Sequence, residues 1–443
     1  MTISFRGTRA LRHRNYRLFF TGQLISLIGT WMQQVGEAWL VLQLTHDPLW
    51  LGIVSVAQFG PVILFGLFGG VIADHLPKRR TLMVTQSVAM TLAFVLFALS
   101  FTGVIQVWHI LICAFILGCA NAVDMPSRQS FAVEMVGRDD VANAVGLNSA
   151  VFNTSRIIGP AVAGILIGVL GVPIAYLLNG LSFIAVITAY ALMRDAELQP
   201  RPKVDRPSSF REVVDNLGEG LRFVRSTPIL LLAITVLGLV ATFGMNFSVL
   251  VPPLADRVLG VGATGYGILM AASGVGSTAS ALSIAFSSRV QPRRILIGAA
   301  ALGVGSVLLS FSRAMPLSMI AMMIAGAGGI GMAVTANTTM QLHVPDHLRG
   351  RVMSVYTTTF SATAPAGGLI MGAVASAFGV PFALTVGGIV SLVIAVAAVP
   401  WLRRIQASSR PAAVRRPMVE GAEIGALDPE GRSAGVVAHA RPR

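Results

Sequence analysis

Five polar side chains recur along one otherwise apolar stretch: Gln23, Ser26, Thr30, Gln33 and Glu37, at spacings of 3, 4, 3 and 4. That spacing puts them on one face of a helix. Such a face can hydrogen-bond a polar ligand, and at Glu37 it can take up and release a proton. It can also glue two membrane helices together. Five groups in register, one of them an acid, exceed what packing requires, which favours the wall of a water-filled cavity. Two more ionisable groups lie in apolar surroundings. Asp124 stands four residues before Arg128, the spacing of an ion pair on one helix face. Arg156 needs a carboxylate, backbone carbonyls or an anionic ligand, and Glu37 is the only deep acid for it. A structural ion pair and a ligand site are both open to Arg156. Proton-coupling candidates are therefore Glu37, Asp124 and Arg156.

Enzyme chemistry has no comparable constellation. His109, His343 and His347 stand at no useful spacing from acids or thiols, and no nucleotide-binding loop is present. Cys113 and Cys119, six positions apart in one apolar run, suggest neither a disulfide framework nor a metal site. No catalytic residue, metal or cofactor is expected.

The elements that position these groups are long and apolar. Of 443 residues, 54% are hydrophobic and 12% charged, too little charge to cover a soluble protein. Spanning a bilayer takes about 20 apolar residues. Twelve such stretches occur: 18–42, 49–73, 81–103, 107–127, 143–169, 172–193, 228–252, 263–287, 293–312, 315–340, 350–378 and 380–402. Taken inward from the start of its stretch, Glu37 lies about 28 Å along the first helix and Arg156 about 20 Å along the fifth.

The cations sort by loop. Of 33 Lys and Arg, all but Arg156, Arg257 and Arg313 fall before the first stretch, after the last, or in alternate loops. Lys/Arg-rich loops are cytoplasmic, so both termini are expected inside a cell (inner) membrane. The net charge of +14 is then a topology signal rather than a nucleic-acid footprint. The expected division is a cytoplasmic segment 1–17, a six-helix bundle 18–193, a cytoplasmic linker 194–227, a second six-helix bundle 228–403 and a disordered tail 404–443. Within the linker, Phe210, Val213, Val214, Leu217, Leu221 and Val224 form an apolar stripe, read as an amphipathic helix at the membrane surface. The bundles repeat: LGVPIA at 170–175 matches FGVPFA at 378–383, and HLPKRRTL at 75–82 matches RVQPRRIL at 289–296. Repeated six-helix halves are a transporter arrangement.

Gly70-Val-Ile-Ala-Asp74-His75-Leu-Pro77-Lys78-Arg79-Arg80 resembles the loop 2–3 signature of the major facilitator superfamily, with His75 and Pro77 replacing the usual Arg and Gly. The stretches NAVDMPSRQSFAVEMV, ANAVGLNSAVFNTSRIIGPAVAG and LRGRVMS resemble the subgroup of the enterobactin exporter and macrolide efflux pumps. The resemblance implies an all-α fold of twelve transmembrane helices in two repeats. It also implies a cytoplasmic latch of Gly70, Asp74, Lys78, Arg79, Asp124 and Arg128, in which Lys78 or Arg79 pairs with Asp124. With Ser288 at the position matching Asp74, that latch would be one-sided. The bland alternative makes these charges interfacial anchors. Gly146, Gly159, Pro160 and Gly164 resemble the antiporter signature of proton-coupled exporters, a pattern that generic helix packing also produces. Asn121, Thr242, Asn246, Asn337 and Thr338 sit on helices that line the family's cavity. The expected function is proton-coupled export of a small amphiphile, such as a siderophore or drug, by a monomer working through alternating access. The alternatives are an importer or uncoupled permease, or a membrane-embedded sensor or enzyme.

Overall fold

The computed structural model describes residues 6–199, 210–287 and 291–408, with all side chains in them except those of 6–7, 67–75, 210–211 and 213–214. Every element among the described residues is helical. The first half holds α1 (Arg14–Thr45), α2 (Pro48–His75), α3 (Lys78–Phe101), α4 (Val107–Leu170) and α5 (Pro173–Ala191). Next comes α6 (Phe210–Ser226). The second half holds α7 (Pro228–Gly244), α8 (Phe247–Pro253), α9 (Gly262–Ala285), α10 (Arg293–Phe311), α11 (Met315–His343), α12 (Arg349–Phe378) and α13 (Val380–Ser408).

Ten described helical stretches are long and apolar enough to cross a membrane. The twelve-helix arrangement is reached by counting α1, whose polar stripe lowers its hydropathy, and by counting α4 twice. α4 runs for 64 residues and carries both 107–127 and 143–169. Between them the expected loop is helical, because Phe131, Ala132, Met135 and Val136 make an apolar stripe buried with Tyr16 and Tyr190. Within the run only Gly137 leaves helical dihedrals, with φ of 74°, a conformation that costs glycine little. The seventh expected span, 228–252, is broken instead. α7 ends at Gly244, Met245 and Asn246 leave helical geometry, and α8 restarts the chain. The Asn246 amide donates to the Thr242 carbonyl at 2.7 Å, satisfying a backbone group that the break exposes.

The sequence repeat is visible as matched corners. Gly171 and Gly379 both adopt positive φ, 80° and 88°. Each is followed by a proline that opens a helix, Pro173 at the start of α5 and Pro381 near the start of α13. A glycine that turns the chain and a proline with φ preset for a first turn suit a tight corner between antiparallel helices.

In the first half, α4 packs against α1, α2 and α3, and α5 against α1 and α3. In the second, α11 packs against α9 and α10, and α13 against α7 and α10. The halves meet mainly along α2 with α12 and along α4 with α9. The amphipathic α6 docks on the second half rather than lying free. Val224 is fully buried, Glu219 pairs with Arg351 of α12, and Gly220 sits against the Arg351 carbonyl with no room for a side chain. α13 continues five residues past the expected boundary at 403. The proline-rich part of the linker, Ser288 and the tail from 409 lie outside the described residues.

Candidate functional site

The two ends of the molecule differ in charge and in how the halves meet. One end, the cation-rich face, carries Arg79, Arg128, Arg293 and Arg351. The other, the cation-poor face, carries the corners at His46, Gly171 and Gly379. Close inter-half contacts run from mid-molecule to the cation-poor face. A methyl on Gly164 would come within 2.8 Å of Gly267 Cα, one on Gly372 within 3.0 Å of the Pro48 carbonyl, and one on Gly368 within 3.2 Å of Ser55 Cβ. Small residues permit such backbone approach. There too, Trp39 of α1 stacks on Tyr266 of α9 at 6.3 Å, Thr264 Oγ1 donates to the Gly164 carbonyl at 3.1 Å, and the Arg257 guanidinium donates to the His46 carbonyl. Toward the cation-rich face, Gly60, Gly146 and Gly350 have open space where a Cβ would stand. The ion pairs there whose side chains are both described do not join the two halves; Arg79 pairs with Asp195 and Arg351 with Glu219, both of the linker.

Beneath the closed face lie three cavities that share walls. One of about 190 Å³ belongs to the first half and takes Ser26, Thr30, Gln33 and Glu37 from α1, with Asn121 and Arg128 from α4. One of about 250 Å³ lies between the halves, with Glu37 and Arg156 on one side and Met245, Phe247 and Met270 on the other. One of about 310 Å³ sits toward the cation-rich face between α2, α4 and α12, lined by Asn121, Met125, Ser354 and Thr358. Glu37, Gln34 and Gln58 line the first two cavities, and Asn121 and Met125 the first and third.

The α1 stripe thus faces a cavity over most of its length. Gln23 is the exception. Its amide donates to the Tyr190 hydroxyl at 3.1 Å and its carbonyl accepts from Arg128 at 3.1 Å. Gln33 is held by Asn179 of α5 at 2.6 Å. Gln34, Gln58 and Gln86 also reach the cavities and were missed in the sequence. A lone amide within an apolar run, as Gln58 is in α2, was the available signal.

Glu37 is 8% exposed and Arg156 is half-buried. They share one cavity wall yet form no ion pair within 4 Å, so the structural pairing open in the sequence is not what this conformation adopts. Arg156 lies over the Trp31 ring, 5.9 Å from its centroid. Trp31 in turn meets Phe152 edge-on at 5.7 Å and backs onto Gly159, where a Cβ would stand 2.5 Å from Trp31 Cβ. A mid-membrane arginine costs about 2.5–3.5 kcal/mol, and a cation–π contact returns about 0.5–2 kcal/mol. The ring alone does not offset the burial.

Asp124 is buried at 1% exposure. It pairs with Arg128 and accepts from Thr85 at 2.7 Å and Gln86 at 2.9 Å. The expected partner Arg79 lies elsewhere. It donates to the carbonyls of Tyr190 and Ala191 and to Asp195, all at 2.7–2.8 Å. A fork of donors at the end of α5 meets carbonyls of the last helical turn, which have either no partner in a continued helix or a second lone pair to spare, and the negative end of the helix dipole, which outcompetes a carboxylate that Arg128 already neutralises. Lys78 is buried at the start of α3. The side chains of Gly70 and Asp74 lie outside the described residues.

Thr242, Asn246, Asn337 and Thr338 line none of these three cavities. Thr242 and Thr338 hydrogen-bond their own helices, Asn246 closes the break after α7, and Asn337 accepts from Gln341. The glycines of the antiporter-like pattern divide. Gly159 seats α1, Pro160 and Gly164 meet Gly267 of α9, and a Cβ at Gly146 would meet nothing within 4 Å. No group of His, Cys, Asp and Glu able to hold a metal occurs among the described residues.

Two six-helix halves closed at one face around a shared cavity define a multi-pass membrane transporter of the major facilitator fold. The chain belongs to the transmembrane secretion effector family of that superfamily, matched over residues 7–423. It is 27% identical over 393 residues to the staphyloferrin A transporter of Staphylococcus aureus, covering 85% of this chain and 94% of that one. It is 31% identical over 393 residues to the multidrug efflux pump Tap of Mycolicibacterium fortuitum, covering 85% and 93%. Its fold is similar to that of a bacterial homologue of the human lysosomal transporter Spinster, solved in an inward-facing and occupied conformation, with TM-score 0.69, 14% identity and coverage of 90% and 99%.

Proposed function

We propose that this protein is a proton-coupled exporter of a small amphiphile such as a siderophore or drug, working as a monomer by alternating access in the cell (inner) membrane, with the cation-rich face in the cytoplasm. The observation that carries the reading is Glu37, a buried acid on the shared wall of two cavities beneath a closed inter-half seam. The charge asymmetry supports the orientation. The relatives named for siderophore transport and multidrug efflux support the substrate class.

In this reading the conformation seen is closed to the outside. Substrate enters from the cytoplasmic side, and Glu37 gives its proton to water there as substrate binds. The α2–α12 and α4–α9 seams then part, and substrate leaves outward. Glu37 takes a proton from the outer medium, which favours return. Coupling needs only that the acid be reachable from one side at a time.

Inverted vesicles under a pH gradient, assayed with a panel of fluorescent amphiphiles, test the coupling. Glu37→Gln is expected to keep downhill exchange and to lose gradient-driven accumulation, and unchanged accumulation removes Glu37 from the mechanism. Single cysteines at Asp47 and Ser208, in a background without Cys113 and Cys119, test the orientation. Asp47→Cys is expected to label from outside intact cells and Ser208→Cys only after permeabilisation.

A further inference from the structure

We infer that the transported molecule is an amphiphilic zwitterion, its carboxylate docking on Arg156 and its ammonium on Glu37. The inference rests on the proposed function and names the chemistry of its substrate site.

Two opposite charges share the cavity of about 250 Å³ and do not neutralise each other. Among the described residues no acid lies within ion-pairing distance of Arg156, and its guanidinium donates to no protein oxygen. It lies over the face of Trp31, and a ring accepts none of its N–H donors as an oxygen would. Arg156 lines the cavity. A planar fork of five donors matches a carboxylate in two parallel bonds. Glu37 lines the same cavity and forms no ion pair with a cation among the described residues.

The rest of the wall suits what connects the two charges. Met245, Phe247 and Met270 of the second half face them, and flexible thioethers and an aromatic ring accept varied apolar frames. A purely anionic ligand would be repelled by ionised Glu37. A purely cationic one would leave Arg156 without a counter-ion. A zwitterion answers both, and its ammonium displaces the Glu37 proton as the antiport reading requires.

Three dansyl probes separate the charges: Nε-dansyl-lysine carries both, dansylcadaverine lacks the carboxylate, and the Nα-acetyl derivative of dansyl-lysine lacks the ammonium. Binding to the purified full chain is read by fluorescence anisotropy without a pH gradient. Wild type is expected to bind the zwitterion about tenfold tighter than either single-charge probe, the scale of one charge-assisted bond. Arg156→Gln should abolish the preference for the zwitterion over dansylcadaverine without weakening dansylcadaverine binding. Arg156→Lys should restore part of the preference. Glu37→Gln should lower zwitterion binding to the level of the acetyl derivative. A merely structural Arg156 moves all three probes together. Equal binding of the three probes, no binding of any, or a preference that survives Arg156→Gln overturns the inference. A zwitterion preference without pH-driven export in vesicles leaves it standing and removes only the exporter reading.

Discussion

At the scale of single residues, what a group touches decides whether its loss is felt. Arg128 neutralises Asp124 and also reaches Gln23, so it ties α4 to α1. Removing one partner of a buried pair leaves an uncompensated charge, at about 3–5 kcal/mol. Arg128→Ala, which leaves Asp124 buried and unpaired, is therefore expected to lower the thermal midpoint of the purified protein more than the double change Arg128→Ala with Asp124→Asn, which removes the charge and keeps one oxygen to accept from Thr85 and Gln86. Equal losses would show that the unpaired charge is not what destabilises the site. Gly159 and Gly146 make a second contrast. Gly159→Ala drives a methyl into Trp31 and the Ile28 carbonyl, an overpacking worth about 1–3 kcal/mol, and should shift the Trp31 fluorescence. Gly146→Ala meets open space and should leave stability unchanged or raise it slightly.

At the scale of elements, the corners and the break carry the argument. Gly171 and Gly379 occupy equivalent corners with φ near +80° and ψ of 174° and 157°. That region is costly for any other residue, by about 1–3 kcal/mol. Gly171→Ala and Gly379→Ala should destabilise by similar amounts in a thermal melt, and a large inequality would mean that the halves do not fold alike. The break between α7 and α8 is a different device. It places Met245 and Phe247 against Glu37 and Arg156 instead of continuing a straight helix past them. Asn246→Ala removes the amide that satisfies the Thr242 carbonyl and should cost about 1 kcal/mol, with a change in probe binding as Met245 loosens.

At the scale of the whole molecule, the cation-poor seam is the part that has to open. Ser55 Cβ lies 3.2 Å from the Cβ position of Gly368, close to the 3.5–4.5 Å of disulfides. In a background without Cys113 and Cys119, Ser55→Cys with Gly368→Cys should cross-link under mild oxidation, stop transport and regain it on reduction. The single cysteines should be insensitive to oxidant. Transport that continues with the cross-link formed would show that this seam does not part during the cycle.

Membrane location, helix number, the two-half repeat and the polar face of α1 were legible in the sequence, because each is a local pattern: apolar length, cation placement, matched corner motifs and a helical spacing. That Ser26, Thr30, Gln33 and Glu37 share a cavity wall was readable for the same reason, since one helix fixes their common direction. Pairings between helices were not. Arg128 stood four residues from Asp124, and the family resemblance offered Lys78 or Arg79 as its partner; only the packing of α3 onto the end of α5 sent Arg79 to backbone carbonyls. Glu37 and Arg156 were each visible as deep charges. Whether they met depended on how α1 packs on α4, where Gly159 backs onto Trp31, and in that packing both line one cavity without forming an ion pair. The break after α7 falls at Met245 and Asn246, inside a stretch apolar enough to read as one span. Periodicity within one helix is written residue by residue, whereas the partner of a buried charge is chosen by competition among groups that only the packed helices bring together.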